Sequence, residues 1–447
     1  MGMLPGMSPT HISADPARGD ACPGALRLHA ADDGFLARVR IPGGVLTVAQ
    51  ARALGALAGR LGDGNLHLTS RGNVQLRGLR DGCGGELADA LGAAGLLPSP
   101  AHERVRNVVA SPMSGLDGVG HVDVRGWLRG LDAALIASSV TPELSGRFLF
   151  ALDDGRGDVA TLGQDVLLRG LPGGDGLLSV GGAEFLLPYG DAARAAVIAA
   201  EVFVAAAREI SGRRVWRVAE LGLSASELRA RIERTAPGLR PGPRSSIAGG
   251  ADFADAPEKE RPAGARGTAR EAATGPHTTN NPGARGTARP APTGPHTTNT
   301  PGARGTARPA PAGVHPTTSG IALPFGTATP TQWAELTARA ALTPAQELRL
   351  TPWRRIVIPG ATENDPPDTT PWTRVGACIG SPGCAKSHTD VREDARTHLP
   401  EAHPTLPTYW SGCERRCGHP AGTTYIDITA RPDGAYDTTT RTAPHPR

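Results

Sequence analysis

One stretch of this chain occurs twice, and that limits the folds open to it. Residues 41–78 align without a gap onto residues 323–360. Pro42, Gly44, Thr47, Gln50, Leu54, Ala56, Ala58, Leu66, Leu68, Thr69 and Gly78 recur as Pro324, Gly326, Thr329, Gln332, Leu336, Ala338, Ala340, Leu348, Leu350, Thr351 and Gly360. These are the positions of a turn, a helix cap, a helix face and a strand core. Each copy is therefore expected to be the same strand–helix–strand unit, and the whole chain a fold of two like halves.

Residues 35–41 read as a strand, with Phe35, Ala37, Val39 and Ile41 on one face and Leu36, Arg38 and Arg40 on the other. After the turn Pro42-Gly43-Gly44, Thr47 is placed to N-cap a helix with the apolar stripe Val48, Ala51, Leu54, Leu57, Leu61, ended by Gly62 or Gly64. A second strand is expected from Leu66 to Leu76. Its outward face would carry His67, Thr69, Arg71, Asn73, Gln75 and Arg77. Such a row of hydrogen-bonding groups suits a polar ligand, although an ordinary solvated strand face has the same periodicity. In the second copy Arg71, Gln75 and Arg77 become Trp353, Val357 and Pro359. The scaffold is repeated but the polar face is not, so a ligand is expected in the first copy alone.

A fainter repeat extends further. Arg104-Val105 and Ser111-Pro112 match Arg374-Val375 and Ser381-Pro382, which sets Val108 opposite Cys378 and Ser114 opposite Cys384. Ser145-Gly146-Arg147 likewise matches Ser411-Gly412-Cys413. Two halves around a pseudo-twofold axis would bring the cysteine loops of the second half to face the Arg106 and Arg147 loops of the first.

Those cysteines are the strongest chemical signal in the chain. Cys378 and Cys384 are separated by five residues, Cys413 and Cys417 by three, and each pair sits among Gly and Pro. Four thiolates match the ligand count of a [4Fe-4S] cluster. A structural zinc site normally uses shorter Cys-x2-4-Cys knuckles, and two disulfides do not suit the cytoplasmic setting expected below. Cys22 and Cys83 lie outside the set and read as ordinary thiols.

Between the halves, residues 241–318 differ in kind. Gly-Ala-Arg-Gly-Thr-Ala-Arg begins at Gly264, Gly283 and Gly302, with His277, His296 and His315 in the same period. Almost no side chain larger than Ala is apolar there, so the segment is expected to be a disordered linker. The N-terminus lacks a signal sequence and no run is long enough to span a bilayer, which predicts a cytoplasmic protein acting on neither membrane nor nucleic acid. Lys259 and Lys386 are the only lysines, so an anionic ligand would meet planar guanidinium groups. No Gly-x-Gly-x-x-Gly opens a helix after a strand, so an external ferredoxin or reductase is the expected electron donor.

Arg38-Val-Arg-Ile-Pro-Gly-Gly44, Leu68-Thr-Ser-Arg-Gly-Asn-Val-Gln-Leu-Arg-Gly78, Arg106-Asn107 with Ser111-Pro112, and the two cysteine pairs resemble the nitrite and sulfite reductase superfamily. Cys22-Pro23-Gly24, Leu348-Arg-Leu-Thr-Pro-Trp-Arg-Arg355 and Ser411-Gly-Cys-x3-Cys-Gly-His-Pro420 resemble most its precorrin-3B synthase branch, in aerobic cobalamin biosynthesis. The resemblance implies an α+β fold of two pseudo-twofold-related halves, each a ferredoxin-like half-domain plus a reductase-type cofactor-binding α/β domain. The expected boundaries are a tail at 1–25, half-domains at 26–98 and 319–362, a substrate-side domain at 99–240, the linker at 241–318 and a cluster-binding domain at 363–447.

It implies that Cys378, Cys384, Cys413 and Cys417 hold a [4Fe-4S] cluster, and that Arg38, Arg40, Arg71, Arg106 and Arg147 contact a tetrapyrrole. Gln75 and Arg77 on the same strand face and Asn107 beside Arg106 complete that expected set. The implied reaction is O2-dependent hydroxylation of precorrin-3A at C20 with γ-lactone formation, with a mononuclear non-haem iron as a possible second cofactor. His67, His121, His388 and His419 are candidate ligands for that iron, none of them specific. The alternative is a siroheme nitrite or sulfite reductase. Against it, those reductases typically carry a lysine where this chain has Arg147 in Leu144-Ser-Gly-Arg147, and sulfite reductases a second where it has Leu149. A plain electron carrier would need no arginine-lined face.

Overall fold

The computed structural model describes residues 24–242, 320–361, 371–420 and 424–442. Cys22, Lys259, His277, His296, His315 and nearly all of the expected linker lie outside them. The first copy of the repeat comprises β1 (His29–Ala31), β2 (Gly34–Val39), β3 (Val45–Thr47), α1 (Val48–Leu61), β4 (Leu66–Leu68) and β5 (Val74–Leu79), followed by α2 (Gly84–Ala93). As expected, Thr47 accepts from the Gln50 amide and Gln50 reaches back to Thr47, a capping box, while Gly62 ends the helix.

The expected single strand from Leu66 to Leu76 is instead a hairpin, β4 paired antiparallel to β5. Turn chemistry breaks it. The Thr69 hydroxyl accepts from the amides of Arg71 and Asn73 (3.3 and 3.1 Å), and Gly72 takes a φ of 66°. The polar face survives the fold-back, because His67 on β4 pairs with Gln75 on β5, and Gln75 in turn with Arg38 on β2.

An α/β layer follows: β6 (Val108–Ala110), α3 (Arg125–Ala137), β7 (Phe150–Asp153), β8 (Val166–Gly170), β9 (Gly176–Val180), β10 (Ala183–Leu187), α4 (Ala192–Arg208), α5 (Ala225–Thr235) and β11 (Arg240–Pro241). The second copy is β12 (Gly320–Ala322), β13 (Thr327–Ala328), α6 (Pro330–Ala341), β14 (Glu347–Leu350) and β15 (Arg355–Val357). The chain ends with β16 (Val375–Ala377), α7 (Val391–Thr397), β17 (Thr408–Ser411), β18 (Tyr425–Ala430) and β19 (Tyr436–Arg441).

The copies exchange strands. β3 of the first copy completes the sheet β12-β15-β14-β3, and β13 of the second completes β1-β2-β5-β4-β13. The registers are reciprocal: Leu46 pairs with Leu348, and its counterpart Ala328 pairs with Leu66, the counterpart of Leu348. The Trp333 indole donates to the carbonyl of Ala51, its own equivalent in the other copy, at 2.7 Å. One hydrophobic core spans both copies, from Ala37 and Leu54 to Trp333, Leu348 and Ile356. Backbone conformation is repeated even where sequence is not. Gly43 and Gly72 have positive φ, and so do their counterparts Phe325 (54°) and Arg354 (58°). Gly44 must be glycine, since a Cβ there would lie 1.9 Å from the Leu350 carbonyl oxygen.

The two α/β layers are also related. In one, β6, β7 and β8 are parallel and β8, β9, β10 and β11 antiparallel; in the other, β16, β17 and β18 are parallel and β18 and β19 antiparallel. Register corrects the faint sequence repeat. Ala110 opposite Leu152 matches Ala377 opposite Trp410, which puts Ser111, not Val108, at the place of Cys378. The Asp154 amide donates to the Ser111 hydroxyl at 3.1 Å, as the Gly412 amide does to the Cys378 sulfur at 3.2 Å. Ser145-Gly146-Arg147 precedes β7, whereas Ser411 ends β17, so that match fails. The intervening helices differ in length, 13 residues against 7.

Candidate cluster and arginine site

Both cysteine loops leave the C-terminal ends of adjacent parallel strands, the usual place for a ligand on such a sheet. Cys378 follows β16 directly, its amide donating to Trp410 (3.0 Å), and Cys413 and Cys417 follow β17. Burial pushes the Cys378 thiol up, and the nearby Cys384 and Cys413 add to the rise, against amide donors from Gly412 and Gly380. Burial also raises Cys417, reinforced by Cys413, Cys378 and Cys384. The four sulfurs thus lie within electrostatic range of one another, and none is in a disulfide. Among the described residues no three His, Cys, Asp or Glu side chains converge on a point fit for one metal ion. Four thiols are the donor set that a [4Fe-4S] cluster takes, one thiolate to each iron.

Arginines grip the backbone of these loops. Arg77 donates to the Gly383 carbonyl (2.8 Å), Arg392 to the Cys378 carbonyl (3.0 Å), and Arg354 to the Gly418 carbonyl (2.9 Å). Asp390 caps α7 through the Arg392 and Glu393 amides, which starts the helix that carries Arg392. Burial pushes the Arg392 guanidinium down to about 10, helped by Arg354 and Arg77, while Tyr409 and Cys378 oppose. Tyr409 donates to the Cys417 carbonyl (2.6 Å).

The expected arginine face divides into two kinds of residue. Arg77 is buried and bidentate to Asp33 (2.7 and 2.8 Å), and Arg106 is buried and bidentate to Asp132 (2.7 and 2.9 Å) with a further bond to the Leu96 carbonyl. Asn107, fully buried, binds Asn73 and the Phe148 carbonyl. These three tie elements of the fold together. It is Arg77, with Asp33 and Asp32, that meets the Cys384 loop, where the sequence pointed to Arg106 and Arg147.

Arg40 and Arg71 both aim at the Gly146 carbonyl (3.4 and 3.5 Å), next to the exposed Arg147. Arg38 and Gln75 are half-buried cross-strand neighbours. The row Arg38, Gln75, His67, Thr327 crosses four strands, and Arg392 donates to the Thr327 hydroxyl (3.2 Å). The polar face therefore runs from the Gly146 loop to the cysteine loops. Sequence reasoning missed Arg354, Arg392 and Tyr409 at the cysteine loops; the second copy of the repeat, which holds Arg354, was read as scaffold. Trp353, which replaces Arg71, packs on an apolar cluster with Val109, Leu149 and Leu167, so the equivalent position in the second copy is filled.

Of the candidate iron ligands, burial pushes His67 down and Asp63 holds it in place, with a 3.3 Å contact. His121, His388 and His419 are exposed. No group of three His, Cys, Asp or Glu gathers around any of them among the described residues, and no helix there is long and apolar enough to cross a membrane.

The fold as a whole resembles that of the Mycobacterium tuberculosis NirA protein, with a TM-score of 0.62 at 17% identity over 91% of this chain and 74% of that one. Residues 28–94, which hold the first copy of the repeat, match the nitrite/sulfite reductase ferredoxin-like half domain. Among curated relatives, a ferredoxin–nitrite reductase of Leptolyngbya laminosa is 39% identical over 97 residues, 21% of this chain and 19% of the relative. A second, from Synechococcus elongatus, is 36% identical over 128 residues, 27% of this chain and 25% of the relative. A precorrin-3B synthase of Sinorhizobium sp is 33% identical over 138 residues, 31% of this chain and 29% of the relative. The matched stretches thus span between about a fifth and three tenths of these relatives' lengths.

Proposed function

We propose that the chain is an oxidoreductase in which Cys378, Cys384, Cys413 and Cys417 hold a [4Fe-4S] cluster beside a tetrapyrrole bound on the arginine face. The observation that carries this is the hydrogen bond from Arg77 to Gly383, which joins the polar sheet face of the first half to a cysteine loop of the second. When bound, the cluster supplies electrons one at a time from an external ferredoxin or reductase. Arg38, Arg71 and Arg147, with Gln75, receive substrate carboxylates through charge-assisted hydrogen bonds. Arg40 and Asn107 hold the Gly146 loop, and Arg77 and Arg106 fix the strands and loops around it.

For the substrate we favour precorrin-3A, whose acetate and propionate groups suit several guanidinium groups. Hydroxylation at C20 inserts one oxygen atom of O2, and the other leaves as water with two electrons from the donor and two protons. Only Lys386 among the described residues is a lysine, and it is exposed in the Cys384 loop. The position next to Gly146 is Arg147, which speaks for carboxylates rather than the lysine-lined anion pocket of a sulfite reductase.

A siroheme nitrite or sulfite reductase is the second reading, favoured by the two nitrite reductase relatives. The absorption spectrum of anaerobically purified protein separates them. A broad cluster band alone, followed by turnover of precorrin-3A with incorporation of labelled O2, supports the hydroxylase. Soret and Q bands from tightly bound siroheme, or product formed without O2, would sink it.

A further inference from the structure

Three guanidinium groups end on carbonyls of the cysteine loops: Arg77 on Gly383, Arg392 on Cys378 and Arg354 on Gly418. Their charges are not equally compensated. Arg77 is paired with Asp33, whereas Arg354 and Arg392 have no carboxylate partner among the described residues. Instead each lies over an aromatic ring, Arg354 over Tyr409 (5.7 Å) and Arg392 over Phe325 (5.6 Å). The Tyr409 hydroxyl meanwhile binds the Cys417 carbonyl. Leaving two cations unpaired at a partly buried place is costly unless an anion completes it. Four thiolates around an iron–sulfur core are such an anion, and reduction by one electron makes it more negative.

We propose, resting on the cluster reading above, that Arg392 and Arg354 act as positioning residues that raise the reduction potential of the cluster by setting two uncompensated positive charges against its loops. Cluster potentials respond to net charge and burial, and a nearby cation favours the reduced form more than the oxidised one. The consequence is specific to the second half. The counterpart of Arg354 in the first copy is Gly72, and the loop there carries Ser111 instead of Cys378.

The test is a redox titration of the full-length, cluster-loaded protein, followed by electron paramagnetic resonance of the reduced cluster. R392Q and R354Q should each move the midpoint to more negative potential, the double variant further, while R392K and R354K stay near the parent. An unchanged midpoint in the glutamine variants would overturn the proposal. So would lysine variants that shift as far as the glutamine ones, since hydrogen-bond geometry rather than charge would then be at work. Loss of the cluster from both glutamine variants would also overturn it, in favour of a purely structural role. Parent protein without iron and sulfide would instead refute the cluster reading itself.

Discussion

Arg106 and Arg71 were indistinguishable as sequence candidates, and their structural difference can be measured. The Arg106 side chain is 6% exposed and its partner Asp132 23%, and the guanidinium also satisfies the Leu96 carbonyl. Arg106→Ala would strand a mostly buried carboxylate and a carbonyl. Breaking a buried pair costs roughly 3–5 kcal/mol; allowing for the partial exposure of Asp132, about 3 kcal/mol is expected. Arg71 is half-buried and reaches the Gly146 carbonyl over a long 3.5 Å bond, so Arg71→Ala should cost clearly less stability than Arg106→Ala. Its effect should fall on ligand affinity, where losing a charge-assisted bond of about 1.5–3 kcal/mol weakens binding by roughly 10- to 150-fold. Urea unfolding of both variants, with titration of precorrin-3A by absorbance, gives the two numbers. Removing both partners, as in R106M/D132L, should recover part of the Arg106→Ala loss. Equal destabilisation by the two alanine variants, or an Arg106→Ala protein as stable as the parent, would refute the division into struts and receptors.

Cys413→Ser should abolish the cluster's absorption and bound iron together, read by spectroscopy and metal analysis, with the unloaded chain still folded by circular dichroism. Trp333→Leu, which removes the buried indole and leaves the Ala51 carbonyl without its donor, should lower unfolding stability by about 3 kcal/mol, measured in denaturant. Asp158 is pushed up to about 7, chiefly by burial, with Asp153 and Asp154 adding and Ser111 and Arg156 opposing. The folded chain therefore keeps a proton that the unfolded chain releases, so this group's stabilisation falls as pH rises from about 4 to 7 and is level above that, a drop of at most about 4 kcal/mol. Asp158→Asn should flatten the stability profile over that window, and a profile with the parent's slope would count against it.

The helix caps at Thr47 and Thr329 and the alternation of Ala37, Arg38 and Val39 on β2 could be read from sequence because each depends on residues a few positions apart. The strand exchange could not. Val45–Thr47 and Thr327–Ala328 carry no pattern that says which sheet they join, since that is decided by the partner strand far along the chain. The hairpin at Thr69–Asn73 was in principle readable, from a Thr-Ser-Arg-Gly-Asn run typical of a turn, but the alternation of polar residues through it suggested one strand. Whether an arginine is a strut or a receptor depends on acids such as Asp132 and Asp33, placed beside it only by tertiary folding. The slip in the faint repeat came from short matches laid across helices of unequal length.

The exchanged strands carry a last consequence. Each half-domain grips a loop of the opposite half. Arg77 holds Gly383, and Arg349, 2% exposed, holds the carbonyls of Pro112 and Ser114 (2.7 and 2.9 Å). Each also depends on the other for a strand, β3 or β13, and for one shared core. A half alone would expose Leu348, Leu350 and Trp333, or Leu46, Leu54 and Leu66, all buried here, at roughly 1.5–3 kcal/mol for each large side chain. Over three such side chains this comes to about 5–9 kcal/mol, as large as the margin by which a domain is usually stable. Cleaving the chain between residues 243 and 319 should therefore leave the two pieces associated through gel filtration, with the cluster bound. The same pieces expressed separately should fail to fold, and restore the cluster only when expressed together. If the piece from 320 onwards bound iron and sulfide alone, or the cleaved pieces separated under native conditions, the shared core would not be what holds the cysteine loops in place.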